Sequence, residues 1–139
     1  MSQAAAPPSA GLYAQPAQSE LGQWPIQLHL VSPAAPYFRE CDLLVAADCT
    51  AFALGAFHAE LLRGKSLVIA CPKLDETEGY VEKLAELIKG NTIYSITVAI
   101  MEVPCCTGLA RLVEEALARS GKTIAVKTVV IGIDGGRRQ

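Results

Sequence analysis

Five cysteines stand in this chain, and four of them share one kind of position. Cys49 follows the apolar run Leu43-Leu44-Val45-Ala46-Ala47, and Cys71 follows Ser66-Leu67-Val68-Ile69-Ala70. The adjacent pair Cys105-Cys106 follows the long run from Ile93 to Val103, rich in β-branched residues. Each run reads as a strand, and each of these thiols lies where the strand gives way to a turn. For Cys105 and Cys106 the turn opens an amphipathic helix. A helix N-terminus carries partial positive potential and free backbone N–H groups, which favour thiolate over thiol. Thiolates are soft ligands, so convergent cysteines suit zinc or an iron–sulfur cluster and not magnesium or calcium.

Cysteine is also a good small core residue. Cys41 fits that role, because it precedes its apolar run and so falls at the amino end of a strand. It is excluded from the candidate set. The other four sit at carboxyl ends, and in a parallel α/β sheet all carboxyl ends share one edge. Randomly placed core cysteines would not collect there. The candidate ligands are therefore Cys49, Cys71, Cys105 and Cys106. Adjacent cysteines tend to diverge, so the fourth position stays open between the second thiol of the pair and His58. Asp48 is expected beside the site as a hydrogen-bond acceptor. No compact Cys-x-x-Cys pair occurs, so the zinc-ribbon signature is missing and the folded sheet must bring the ligands together. Proline follows Cys71 and precedes Cys105, giving stiff turns at both.

The elements that would position these residues alternate. Ile26 to Val31 alternates apolar and polar residues and reads as a first strand, with His29 a structural residue within it. A proline-punctuated connection follows, from Ser32 to Phe38. It has no glycine, so the glycine-rich turn of a dinucleotide site is absent. Leu43 to Ala47 reads as a strand buried on both faces. Ala51 to Leu62 reads as a short helix with Phe52, Phe57, Leu61 and Leu62 toward the core, ended by Gly64. After the strand Ser66 to Ala70, Asp75 and Glu78 form a capping-box pattern for a helix carrying Val81, Leu84, Leu87 and Ile88. Leu109, Leu112, Val113, Ala116 and Leu117 mark another helix, and Val126 to Ile133 a last strand. Strand–helix alternation with apolar strands predicts a three-layer α/β domain, flavodoxin-like or Rossmann-like. Its sheet is expected to be mainly parallel, with about five strands covered by helices.

Bulk properties narrow the function. The chain has 139 residues and a net charge of −2, enough length for one domain with a real core and no basic stripe for nucleic acid. No apolar run approaches a membrane span, which takes about 20 residues. Residues 1–23 are Ala/Pro/Gln/Ser-rich and read as a flexible tail or linker remnant. Residues 24–134 read as a single domain, and 135–139 as a solvated tail. The N-terminus lacks a basic start and a continuous apolar stretch, so it does not read as a secretory signal, and a cytoplasmic protein is expected. An odd number of cysteines in such a compartment points to metal or redox chemistry in preference to disulfides. There is no nucleophile elbow and no phosphate-binding lysine motif. Glu76, Glu78, Glu82, Glu86, Glu114 and Glu115 fall at helical surface spacings.

Several of these segments together carry a resemblance. They are Gln23-Trp24-Pro25-Ile26-Gln27-Leu28-His29-Leu30, Ala35-Pro36-Tyr37-Phe38, Ala46-Ala47-Asp48-Cys49 and Phe57-His58. With them go Cys71-Pro72-Lys73-Leu74-Asp75 and the run from Met101 to Leu109. Over about residues 20 to 134 the chain resembles the carboxy-terminal domain of ferredoxin-type 4Fe–4S iron–sulfur proteins of anaerobic microbes. The resemblance implies a bound iron–sulfur cluster, 4Fe–4S in type, with a role in electron transfer or redox sensing and a redox protein as partner. The chain departs from that family in lacking the preceding ferredoxin module with its Cys-x-x-Cys-x-x-Cys spacing. Any metal must therefore rest on Cys49, Cys71, Cys105 and Cys106, with His58 as the alternative fourth ligand. The proline-rich start fits a free-standing form or a piece of a longer chain. The alternatives are a zinc-binding structural domain and a metal-free thiol redox protein using Cys105-Cys106. A homo-oligomer is compatible with all three; nucleic acid and membrane are not expected as partners.

Overall fold

The computed structural model describes residues 17–104 and 107–138. Four apolar runs form the strands β1 (Glu40–Ala47), β2 (Lys65–Ala70), β3 (Thr92–Met101) and β4 (Val126–Ile131). All neighbours are parallel, in the order β2-β1-β3-β4. Leu43 to Ala47 of β1 are all buried, because β1 is an inner strand covered on both faces, where alternation of polar and apolar residues has no purpose. The α/β expectation is met, with four strands in place of about five.

The missing strand is Ile26 to Val31. Only Gln27 pairs there, in a single parallel bridge to Ile69 on the outer edge of β2. The chain then turns at once: the Leu30 and Val31 N–H groups both donate to the Gln27 carbonyl. The Gln27 side chain accepts from the His29 N–H at 2.6 Å, and such a local side-chain bond offers the backbone an alternative to the sheet ladder. His29 thus lies in the turn, its ring 4.3 Å from that of Tyr80.

Among the described residues, three helices and two tight turns complete the fold. After a 3₁₀ turn at Pro36–Phe38 and β1 comes α1 (Thr50–Ala53), then a π-helical turn at His58–Leu62. The sequence predicts one helix across this stretch. Instead Leu54 takes an extended conformation and is pulled into the core, which ends α1 after one turn. Phe52, expected in the core, is left 92% exposed. Helix α2 (Tyr80–Gly90) buries Tyr80, Leu84, Leu87 and Ile88, one stripe at helical spacing. Asn91 closes it, its side-chain amide donating to the Leu87 carbonyl at 2.7 Å. The expected capping box does not form: α2 starts after Gly79, whose φ of 87° is left-handed, and Asp75 is used elsewhere. Helix α3 (Thr107–Ser120) buries Leu109, Val113, Ala116 and Ser120.

From β1 the chain moves outward to β2, then returns past β1 to β3 and on to β4. Right-handed crossovers then place the β1–β2 connection on one face and the next two connections on the other. Accordingly α2 and α3 pack side by side, tied at the surface by Arg119 to Glu82 at 3.1 Å. The opposite face is covered by α1, the π-helical turn and the segment around Leu21 and Ile26.

The chain makes specific contacts outside the expected domain boundaries at 24 and 134. Gln23 donates to the Leu67 carbonyl and accepts from the Leu67 N–H, both at 2.8 Å, while Trp24 itself is exposed. At the other end Arg137 bridges Ile131 in antiparallel fashion, and the Arg138 N–H donates to the Val130 carbonyl at 2.7 Å. This return requires the turn at Gly135, which has a φ of 91° and lies against the Ala53 carbonyl. No helix among the described residues is long and apolar enough to cross a membrane.

Candidate functional site

The strand order decides which turns can meet. β1 lies between β2 and β3, and the connections leaving β1 and β3 run to opposite sides. This is a topological switch point, the place on a parallel sheet where a crevice opens beyond the carboxyl ends. Ala47 is in register with Ala70, and Ala46 with Ala99. Cys49 comes just after β1, Cys71 directly after β2, and Pro104 just after β3. Three neighbouring strand ends span only about 10 Å at ordinary strand spacing.

Cys49 is exposed and caps the start of α1, its carbonyl accepting from the Phe52 and Ala53 N–H groups. Cys71 is half-buried. Cys105 and Cys106 lie outside the described residues. Both flanks of that pair are placed: the Thr107 hydroxyl donates to the Pro104 carbonyl at 2.8 Å, and Gly108 faces Pro72. A side chain at Gly108 would have its Cβ 3.4 Å from the Pro72 Cβ. The Cys71-Pro72 turn and the first turn of α3 are thus in contact. Cys41 lies at the amino end of β1, where burial pushes its thiol pKa up.

His58 is on the wall beside α1, but its Nδ1 accepts from the Glu20 N–H at 3.0 Å. A neutral imidazole that accepts at Nδ1 carries its proton on Nε2, so neither nitrogen offers a lone pair to a metal. Ligating histidines instead donate from the second nitrogen. In this arrangement the His58 Nδ1 is engaged by the backbone of Glu20. Among the described residues no three His, Cys, Asp or Glu side chains form a metal-holding group; two of the four candidate thiols stand outside that set.

Asp75 is the residue whose place the sequence reading missed. Its Oδ2 accepts from the Cys71 N–H at 2.9 Å, from the Gln27 amide at 3.0 Å and from the Tyr80 hydroxyl. The Asp75 N–H in turn donates to the Cys71 carbonyl at 2.8 Å. One carboxylate therefore closes the Cys71 turn and ties it to α2 and to the N-terminal segment. Burial works against its charge, but the bonds from Cys71, Tyr80 and Gln27 outweigh this and hold its pKa low. The signal in the sequence was a carboxylate four residues after Cys71. Tyr80 titrates far above its ordinary range, through burial and through its bond to Asp75.

Asp48 occupies the same edge at the end of β1. Its Oδ1 is enclosed and has no partner among the described residues. Burial, with a smaller push from the charge of Asp75, raises its pKa. The two carboxyl groups at neighbouring strand ends are thus driven in opposite directions.

Residues 35–138 match the model of the Rossmann-like domain family. The chain belongs to this family. The Rossmann-like domain spans all four strands and all three helices. It is also 29% identical over 116 residues to an uncharacterized protein of the archaeon Archaeoglobus fulgidus, an alignment covering 84% of this chain and 81% of the relative. No solved structure matches it. In this Rossmann-like domain the turn after β1 is Asp48-Cys49-Thr50, so thiol and carboxyl groups stand where a phosphate-binding member would carry glycines.

Proposed function

We propose that this domain binds an iron–sulfur cluster, of 4Fe–4S type, through Cys49, Cys71, Cys105 and Cys106, and exchanges electrons with a redox protein partner. The observation that supports the reading is the strand order β2-β1-β3, which puts the carboxyl ends of these strands side by side, with Cys49 and Cys71 following two of them and Cys105-Cys106 following Pro104 in sequence after the third. The donor set fits the group: thiolates are the usual ligands of such clusters, Cys49 is exposed and Cys71 is partly so. Helix α3 begins directly after the pair, and its N-terminal dipole favours an anionic neighbour. When bound, a cluster supplies one-electron redox chemistry. The chain's own residues hold the ligand turns: Asp75 fixes Cys71, Cys49 opens α1, and Pro72 seats against Gly108. With His58 engaged by Glu20, both thiols of the Cys105-Cys106 pair complete the set.

Anaerobic preparation and reconstitution, with assays for iron, sulfide and zinc and a visible spectrum, test this. Iron and sulfide in equal amounts with a broad visible thiolate-to-iron band are expected. Cys49→Ser and Cys71→Ser should each lose the band, while His58→Ala should keep it. A colourless protein without iron would sink the reading. Zinc without sulfide would replace it by a zinc-binding structural domain.

A further inference from the structure

The segment before β1 lies along the outer edge of β2 as a strap. In β2 the backbone groups of Leu67 and Ile69 point away from β1, and the strap meets both. The Gln23 side chain serves Leu67 in place of a strand, donating to its carbonyl and accepting from its N–H, both at 2.8 Å. Two residues along β2, the Ile69 N–H donates to the Ile26 carbonyl and the Ile69 carbonyl accepts from the Leu28 N–H, each at 2.9 Å. At the start of the strap the Glu20 N–H donates to His58 Nδ1 at 3.0 Å, and the Glu20 carboxylate pairs with Arg63 at 3.2 Å. At its end the Gln27 amide reaches Asp75 at 3.0 Å, and Asp75 holds the Cys71 N–H at 2.9 Å. The strap thus grips the Cys71 turn twice. One hold is at Ile69, two residues before the thiol, and the other at Asp75, four residues after it.

Little apolar burial keeps the strap down. None of residues 17–27 is fully buried, whereas Leu28 and Val31, which follow, are 0% and 2% exposed. Its half-buried side chains Leu21 and Ile26 border a cavity of about 230 Å³ beside α1, and atoms that face a void forgo part of their dispersion contact. A segment with few buried apolar contacts opens at a lower free energy than the core does. The hold is mostly polar and runs in one line from Glu20 to Gln27. We infer that residues 20–27 are a clasp that docks and releases as one unit, anchored at Leu28, and that its release exposes the half-buried Cys71 thiol. The bearing of the clasp on a cluster rests on Cys71 being a ligand; its control of the bare thiol does not.

Gln23→Ala tests the coupling, because the Gln23 side chain bonds to Leu67 and Pro25 and not to Cys71 or Asp75. In the metal-free full chain, alkylation of each cysteine is followed by mass spectrometry and backbone amide exchange by NMR. The substitution should speed Cys71 alkylation about fivefold, the factor of one lost hydrogen bond. Cys41, at the opposite end of β1, should keep its rate. The Glu20, Leu67 and Ile69 amides should exchange faster together. An unchanged Cys71 rate, faster exchange confined to Leu67, or an equal rise at Cys41 would overturn the clasp. None of these results depends on iron uptake, so the cluster reading stands or falls by its own assay.

Discussion

The two carboxyl groups at the ends of β1 and β2 make opposite contributions to stability. The pKa of Asp75 is lower in the folded chain than in the unfolded one. Its contribution is present above the unfolded value of about 3.9 and lost as pH falls through the lower folded value. Asp48 is raised, so its contribution is complete below about 3.9 and lost as pH rises through the folded value. In metal-free protein, Asp75→Asn should flatten the acid side of a stability–pH curve measured by urea unfolding. Asp48→Ala should leave the midpoint at neutral pH unchanged or higher, since it removes an acceptor without a donor. Asp75→Ala should cost about 1–3 kcal/mol by stranding the donors of Cys71, Gln27 and Tyr80. It should also speed alkylation of Cys71 relative to Cys49, read by mass spectrometry.

At the scale of elements, the stretch after β1 behaves as two separate turns. The sequence expectation of one helix from Ala51 to Leu62 counted both Phe52 and Phe57 toward the core. The break at Leu54 leaves Phe52 exposed and Phe57 buried. Phe57→Ala should therefore cost about 3–5 kcal/mol, while Phe52→Ser should stay within about 0.5 kcal/mol, both by denaturant unfolding. The return of the chain after β4 gives a second contrast. Gly135 combines a φ of 91° with a site where a Cβ would lie 2.7 Å from the Ala53 carbonyl. Gly135→Ala should cost at least the about 1–2 kcal/mol of a left-handed conformation, whereas Gly22→Ala, with open space around it, should be neutral.

At the scale of the molecule, β1 in the centre explains why one edge can gather the site. Had the strands followed chain order, the connections after β1 and β3 would have left in the same direction and no crevice would open between them. Phe52, Leu74 and Ile133, all exposed, follow β1, β2 and β4 respectively. Phe52, in α1, and Leu74 and Ile133, in loops, lie at that same carboxyl edge.

Local chemistry made much of this legible from the sequence. The β-branched and apolar runs became β1 to β4, and the stripes Leu84-Leu87-Ile88 and Leu109-Val113-Ala116 became α2 and α3, because burial on both sheet faces leaves a direct trace in residue type. The positions of Cys49 and Cys71 at strand ends, and of Cys41 at a strand start, followed from the same runs. Strand order left no such trace, since a parallel strand reads alike in any slot. Ile26 to Val31 carried a strand's alternation, yet the Gln27 side chain turned the chain after one bridge. Asp75 and Glu78 had the spacing of a helix cap, yet Asp75 was claimed by Cys71, Gln27 and Tyr80. His58 looked free until Glu20 met its Nδ1. Two of those outcomes involve a partner distant in the chain, Glu20 at 38 residues from His58 and Gln27 at 48 from Asp75. Only the tertiary structure decides which distant donors and acceptors meet, because periodicity and local spacing report burial and not the identity of the neighbour.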